Sequence, residues 1–443
     1  MVENSSNIPT PGDDVLEVDS PEGEFIFALA GNDKITGNVG RDTLFGGSGN
    51  DTIIGKSSND FDDPGDILVG GEGDDSITGS LLGDDLIFGS SGNDTLRSLT
   101  GDSTLVGGEG DDLIDGDVPF GSEDLLIGDA GDDTILGGNA QDTLVGGSGN
   151  DSLVAGESND LLFGGEGNDI LTGDALFNGK TMFGGSGNDT LLGNNRVQDI
   201  AAYTGDPFEG RDVSAPGRQV ISDDRDLIDN FFLAGLNPAP GEVADRPSLL
   251  VDKFSFDAVD YGISPEVNFT SIDANAGEAI APGTNIVVLL NNDNNTDTPS
   301  TVEAAADRIA DLASEDGAGL FVYYNSESQE NSIVYSTNLN SNEADLKVVT
   351  TSKGNTLPLY QASNFSFDDY EFDNNGTNFD EPYNFILEGD NLQTVLNTDN
   401  GEAIATETVE DTSILTESTT NIDLVDNGED NFALDTVDEA NFI

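Results

Sequence analysis

Cysteine, histidine and tryptophan are all missing from the 443 residues, and only 14 lysines and arginines stand against 87 acids. Without histidine or cysteine the chain can build no Ser-His-Asp triad, no thiol nucleophile and no disulfide. Any metal must be held by oxygen, because the usual nitrogen and sulfur ligands of zinc are gone. Histidine-bearing zinc-protease signatures are thereby excluded, and no G-x-S-x-G nucleophile elbow occurs. The formal net charge of -73 repels nucleic acid and anionic membranes alike. It also opposes compaction until cations neutralise it. No apolar run reaches the ~18 residues of a spanning helix. The start, Met1-Val2-Glu3-Asn4-Ser5-Ser6-Asn7, has neither the basic nor the apolar region of an ordinary signal peptide.

Glycine, by contrast, is abundant at 55 residues, and it is spaced rather than scattered. Gly46-Gly47-Ser48-Gly49-Asn50-Asp51 is followed by the short apolar stretch Thr52-Ile53-Ile54, and the same wording recurs along the chain. The unit is a nonapeptide, G-G-x-G-x-D-x-U-x, with U a large aliphatic residue. Glycines at the first, second and fourth positions are expected to take positive φ, so that the chain turns tightly and main-chain carbonyls gather. The sixth-position Asp adds a carboxylate, which makes an all-oxygen cage. Such a cage suits calcium better than magnesium, which keeps its water and demands strict octahedral geometry. The last three residues form a very short strand with U inward.

One U residue per repeat gives Ile35, Leu44, Ile53, Leu68, Ile77, Ile87, Leu96, Leu105, Ile114, Leu126, Ile135, Leu144, Leu153, Leu162, Leu171, Met182 and Leu191. This unbroken column is the core that a merely disordered Gly- and Asp-rich chain would lack. The sixth positions fall into two alternating series. One holds Asp33, Asp51, Asp75, Asp94, Asp112, Asp133, Asp151, Asp169 and Asp189. Its turns supply the expected metal residues Gly46, Gly47, Gly49 with Asp51; Gly70, Gly71, Gly73 with Asp75; Gly92 with Asp94; and Gly107, Gly108, Gly110 with Asp112. Further along come Gly131 with Asp133; Gly146, Gly147, Gly149 with Asp151; Gly164, Gly165, Gly167 with Asp169; and Gly184, Gly185, Gly187 with Asp189. Asp33 lacks the first glycines and is expected to be a terminal half-site. The other series, Asp42, Asp66, Asp85, Ser103, Asp124, Asp142, Asp160 and Lys180, has mostly lost its glycines. Every insertion that stretches the period falls in its turns, including Lys56 to Pro64 and Val118 to Glu123. An asymmetric roll is expected, with a continuous row of calcium sites on one edge and fewer ions on the other.

These repeats resemble the RTX family of calcium-binding secreted proteins. The resemblance implies a mostly β fold: a parallel β-roll over 25–200 with two nonapeptides per turn, then a smaller α+β capping domain over 201–370. It also implies several bound Ca2+ ions, an extracellular or cell-surface location, and export by a type I apparatus of ABC transporter and outer-membrane channel. The capping region, through Gly319-Leu320-Phe321-Val322-Tyr323-Tyr324 and Ala362-Ser363-Asn364-Phe365-Ser366-Phe367, resembles the domain that follows the repeats in RTX-type surface proteins of cyanobacteria.

Around the roll, residues 1–24 read as a flexible leader, with Phe25-Ile26-Phe27 as a first strand covering the open end. Gly193 to Gln219 reads as a connecting loop. Strands are expected at Asn285 to Leu290, Leu320 to Tyr324, Ile333 to Ser336 and Asp345 to Thr350, with a helix over Val302 to Ala313. Residues 371–443 form an acidic tail, and the resemblance implies an uncleaved secretion signal ending in Asp438-Glu439-Ala440-Asn441-Phe442-Ile443. No catalytic residue is assigned. The competing class is a carboxylate-based hydrolase in 201–370, with Asp368, Asp369, Glu371 and Asp373 beside it as acids that read as solvated surface. A surface or matrix partner is a further expectation.

Overall fold

The structure is a computed structural model that describes residues 9–18, 23–56, 64–116, 122–173, 179–193, 199–203, 218, 220–221, 226–229, 253–273, 279–290, 301–325, 330–353 and 365–368. It also describes the backbone of strands at 384–389, 392–399, 402–407, 422–426 and 432–436. The chain divides into two compact units, Met1–Tyr370 and Glu371–Ile443.

An x-U-x triplet between an Asp and a Gly is long enough for a strand of three residues and no more. Such a strand has a single inward side chain, so it must stack to be stable. The repeats do this in two parallel sheets. One is built of short strands such as Thr52–Ile54, Ser76–Thr78 and Thr95–Arg97, the other of longer strands such as Thr43–Ser48, Ile67–Glu72 and Leu86–Ser91. Each strand pairs in parallel with the strand two places further along the chain. U lies opposite U throughout: Leu44 against Leu68, Leu68 against Ile87, Leu105 against Leu126. Two nonapeptides therefore make one turn, and every U residue from Ile35 to Leu191 is fully buried in one continuous core.

The roll outruns its motif at both ends. Val15–Glu17, inside the expected leader, pairs with Lys34–Thr36 and buries Leu16. Phe25–Phe27 is the first strand of the longer-stranded sheet, set against Thr43–Phe45, rather than a lone cover. Ile200–Tyr203, inside the expected connecting loop, pairs with Thr181–Phe183 and puts Ala201 in the U column. Lys253–Asp257 and then Phe365–Asp368 continue that sheet. Val15–Glu17 follows half a motif, since Gly12 stands two residues before Asp14 as Gly31 stands before Asp33, whereas Ile200–Tyr203, Lys253–Asp257 and Phe365–Asp368 have no preceding glycine turn to mark them.

The other sheet is carried on by Asp226–Asp229, which pairs with Thr190–Leu192 on one side and Leu346–Lys353 on the other. From there it runs without a break into the α+β domain, through Glu330–Ser336, Gly319–Asn325, Ile286–Leu290 and Phe269–Asp273. Period-two alternation splits this part cleanly. Ile286, Val288, Leu320, Val322 and Ile333 join the core of the roll, while Val287, Leu289, Phe321 and Val334 pack with Ala305, Ala306 and Ile309 of the helix Val302–Ala310. Thr301 caps that helix by accepting a hydrogen bond from the Ala304 N–H. The sheet of the roll thus continues into this region, which adds residues to the same core. Tyr203, Phe256, Tyr261 and Tyr335 form a chain of ring contacts 5.0 to 5.4 Å apart there, and the Tyr335 hydroxyl donates to the Tyr261 carbonyl.

The second unit holds one antiparallel five-stranded sheet in the order 384–389, 392–399, 402–407, 432–436, 422–426. The acidic tail expected here therefore carries strands. The final residues 438–443 lie outside the described residues.

Leu126→Ala deletes a fully buried U side chain between two neighbours in a column that cannot collapse sideways. It should lower the unfolding free energy by about 2–5 kcal/mol, read as a lower denaturant midpoint in calcium. The same change at exposed Leu113 should cost far less.

Candidate metal centre

On the first edge the sixth-position acids hold one another in line. The N–H of Asp33 donates to Oδ1 of Asp51 at 2.7 Å, Asp51 to Asp75 at 2.7 Å, Asp75 to Asp94 at 2.7 Å and Asp94 to Asp112 at 2.7 Å. The row continues through Asp112 to Asp133 at 2.8 Å, Asp133 to Asp151 at 2.8 Å, Asp151 to Asp169 at 2.8 Å and Asp169 to Asp189 at 2.9 Å. Intervals of 18, 19, 20, 21 and 24 residues between rungs leave the geometry unchanged, because the extra residues lie in turns of the opposite edge. An exposed second row runs beside it: Asn150 donates its N–H to Asp132, Asn168 to Asn150 and Asn188 to Asn168.

The other carboxylate oxygen has no such partner. Oδ2 of Asp33, Asp51, Asp75, Asp94, Asp112, Asp133, Asp151 and Asp169 is buried and accepts no hydrogen bond. Those of Asp51 to Asp169 lie in cradles made by glycine. A Cβ added at Gly46 would collide with Asp51 Oδ2 and come within 2.7 Å of the Gly70 carbonyl oxygen of the next turn. Gly70, Gly107, Gly146 and Gly164 stand in the same relation to Asp75, Asp112, Asp151 and Asp169, and a Cβ on Gly184 would collide with Asp189 Oδ2. Lone pairs of a carboxylate and a carbonyl thus converge with no hydrogen between them, which is costly unless a cation or proton joins them. Among the described residues no three acidic side chains gather around one point. A cation held here would draw most of its donors from the main chain, as a hard ion of high coordination number does.

A family model of the RTX calcium-binding nonapeptide repeat matches residues 23–62, 65–96, 88–118, 120–153, 145–176 and 181–195. Residues 23–195 are RTX calcium-binding repeats. No curated protein sequence matches the chain.

The glycines of these RTX turns have two distinct duties, which corrects the expectation that all three take positive φ. The second and fourth do: Gly147 has φ of 116° and Gly149 of 139°, and a Cβ on either would collide with a carbonyl oxygen of the preceding turn, from Asp129 and Gly131. The first, such as Gly146, has no positive φ and is needed to leave room for Asp151 Oδ2 and the Gly164 carbonyl oxygen. By the same test Gly89 and Gly128 belong with Asp94 and Asp133, although they were not among the expected residues. Their motifs are masked because Ser90 and Asp129 replace the second glycine, and each still adopts its left-handed backbone, with φ of 88° and 78°. Asp33 is not terminal, since the N–H of Asp14 donates to its Oδ1 at 2.7 Å. Asp199, also missed, accepts from the N–H of Lys180 at 2.9 Å and extends the second edge by a rung.

On the second RTX edge three acids find donors within the protein, while Oδ2 of Asp142 is buried and accepts no hydrogen bond. Asp42 Oδ2 accepts from the Asn38 N–H at 2.8 Å, Asp85 Oδ2 from the Ser80 N–H at 2.7 Å, and Asp124 Oδ2 from the Ser98 and Ser122 hydroxyls at 3.1 and 3.3 Å. Ser103 keeps its place in line by donating its N–H to Asp124 Oδ1 at 2.8 Å. Most of the inserted loops 56–64 and 118–123 lie outside the described residues, as do Asp369, Glu371 and Asp373, while Asp368 ends the strand Phe365–Asp368.

Burial in the absence of a cation pushes the first-edge acids upward, against the lowering effect of the N–H each accepts, with repulsion from neighbouring acids adding to the rise. Asp51 and Asp94 reach about 6, Asp75, Asp112, Asp133 and Asp151 about 7, and Asp169 about 8. These folded-state values lie above the unfolded one, so the metal-free roll takes up protons on folding. The stabilisation is complete below the unfolded value of about 4 and is lost as pH rises through 6 to 8. Metal-free protein should therefore show more β signal by circular dichroism at pH 5 than at pH 8. Because protons stabilise the folded roll while the acids of the unfolded chain are already ionised, the calcium concentration at the folding mid-transition should rise as pH rises from 6 to 8.

Proposed function

We propose that this is a secreted or cell-surface calcium-binding protein whose RTX roll folds when calcium fills the first edge after export. The row of buried Oδ2 atoms from Asp33 to Asp169, accepting no hydrogen bond and from Asp51 onward set in glycine cradles beside carbonyl oxygens, is the observation that carries the reading. The ligands are the carboxylates of Asp33, Asp51, Asp75, Asp94, Asp112, Asp133, Asp151, Asp169 and Asp189, with main-chain carbonyls of the glycine turns that begin at Gly46, Gly70, Gly89, Gly107, Gly128, Gly146, Gly164 and Gly184. One ion in each gap between these nine rungs gives about eight ions, adding about +16 from the divalent charge of calcium. The folded protein stays strongly acidic and soluble.

At low free calcium, repulsion along the rungs keeps the repeats open. At the millimolar calcium outside a cell, binding free energy becomes folding free energy. Such a chain passes a type I apparatus, an ABC transporter with an outer-membrane channel, as an unfolded strand and is prevented from returning by folding. The second edge, where Asp42, Asp85 and Asp124 find donors within the protein, binds fewer ions. Its loops and the α+β domain are the surfaces open to a cell-surface or matrix partner.

Circular dichroism of the full chain, titrated with calcium and separately with magnesium, tests the first claim. A cooperative gain of β signal with calcium alone, reversed by chelator, is expected; equal response to both ions would overturn it. Asp133→Asn, in the middle of the ladder, should raise the calcium midpoint several-fold, whereas Asp132→Asn on the exposed row should leave it nearly unchanged. Removing the last ~60 residues should abolish export from a type I-competent cell and leave calcium binding intact; normal export of the truncated chain would sink the secretion claim.

A further inference from the structure

Lys180 stands at the sixth position of a second-edge turn, in line with Asp142 and Asp160 of the two turns before it. Its backbone keeps the pattern of that edge. The Lys180 N–H donates to Asp199 Oδ1 at 2.9 Å, as the Asp142 N–H donates to Asp160 Oδ1 at 3.0 Å, and the Ile200 N–H donates to the Lys180 carbonyl at 2.8 Å. Its side chain enters the cradle that an aspartate fills elsewhere. A Cβ on Gly137 would meet Asp142 Oδ2 at 3.1 Å, and a Cβ on Gly173 would meet Lys180 Cγ at 3.0 Å.

From that cradle the side chain turns back toward the preceding turn. The ammonium lies 2.9 Å from Asp160 Oδ2 and donates to the Ser158 carbonyl, and neither the lysine nor the aspartate side chain has any exposure to solvent. A positive charge thus sits between two adjacent turns, held by a carboxylate oxygen and a main-chain carbonyl. One turn earlier, the buried Oδ2 of Asp142 accepts no hydrogen bond at all.

We propose that the Lys180 ammonium is a tethered replacement for a calcium ion. It closes the gap between the Asp160 and Lys180 turns at any calcium concentration and keeps the last turns of the roll docked on the α+β domain while the rest is open. A compact ammonium on a flexible stem suits the task, because it is a point charge able to turn toward oxygens already in place. Being covalently attached, it cannot be diluted away or removed by a chelator. The inference rests on calcium binding by the repeats, and the test separates the two.

The full-length chain is compared with Lys180→Met and Lys180→Asp. Backbone hydrogen exchange is followed in chelator, and bound calcium per chain is counted by native mass spectrometry at millimolar calcium. In chelator, wild-type Leu161–Glu166 and Thr181–Ser186 should exchange at least tenfold more slowly than Leu86–Ser91. Lys180→Met should lose that difference and regain slow exchange when calcium is added. Lys180→Asp, which restores the carboxylate of the repeat, should bind one more calcium ion than the wild type. Unchanged exchange in Lys180→Met, or an unchanged calcium count in Lys180→Asp, overturns the inference while leaving first-edge binding intact. A wild-type chain that binds no calcium overturns both.

Discussion

Everything in the repeat region depends on a row of carboxylates that are buried before they are neutralised. Each first-edge aspartate gives one oxygen to the N–H of the rung before it, which fixes its direction, and leaves the other beside a carbonyl of the next turn. The first interaction is an ordinary stacking bond. The second is an electrostatic debt carried by every turn, and the rise of these groups to about 6 to 8 is its measure. Protons can meet it in acid and a divalent cation can meet it at neutral pH. A chain with this arrangement and a net charge of -73 has its fold coupled to the ionic composition of the medium.

The rest of the architecture follows from keeping that row straight. Turns approach one another so closely that most of their positions are held by glycine, with Ser90 and Asp129 as exceptions, and the short strands between them have room for a single inward residue. A column of Ile and Leu is what such strands can bury, and stacking is the only way to bury it. The α+β domain continues the same sheet and presents alternate residues to the column and to its own helix.

Much of this is legible in the sequence because the nonapeptide states it directly. The U column, the two series of sixth-position residues, and the helix and four strands that follow Asn285 all come from spacing and alternation, whereas Phe269–Asp273 does not. What escapes is whatever lies beyond the motif. Val15–Glu17 and Ile200–Tyr203 are strands because a finished turn offers them hydrogen bonds; Gly12 alone announces the first, and no glycine announces the second. Gly89 and Gly128 are masked by Ser90 and Asp129, which accept a left-handed backbone that the spelling assigns to glycine. The duty of the first glycine is likewise invisible, because a need for empty space and a need for positive φ are spelled by the same letter. Lys180 reads in sequence only as a lost carboxylate; where its ammonium goes is a property of the fold.

The stacking direction also fixes how the molecule would respond to load. Each turn is hydrogen-bonded only to its two neighbours, so tension applied along the axis of the roll opens one interface at a time. A turn of 18 residues that comes free adds about 60 Å of extended chain, at roughly 3.3–3.6 Å per residue, while removing only about 4.8 Å of stacked height. An ion shared between adjacent rungs lies across the plane that must separate, so calcium would set the force of each step. The repeats would then act as an extensible tether, with a stiffness set by the surrounding solution.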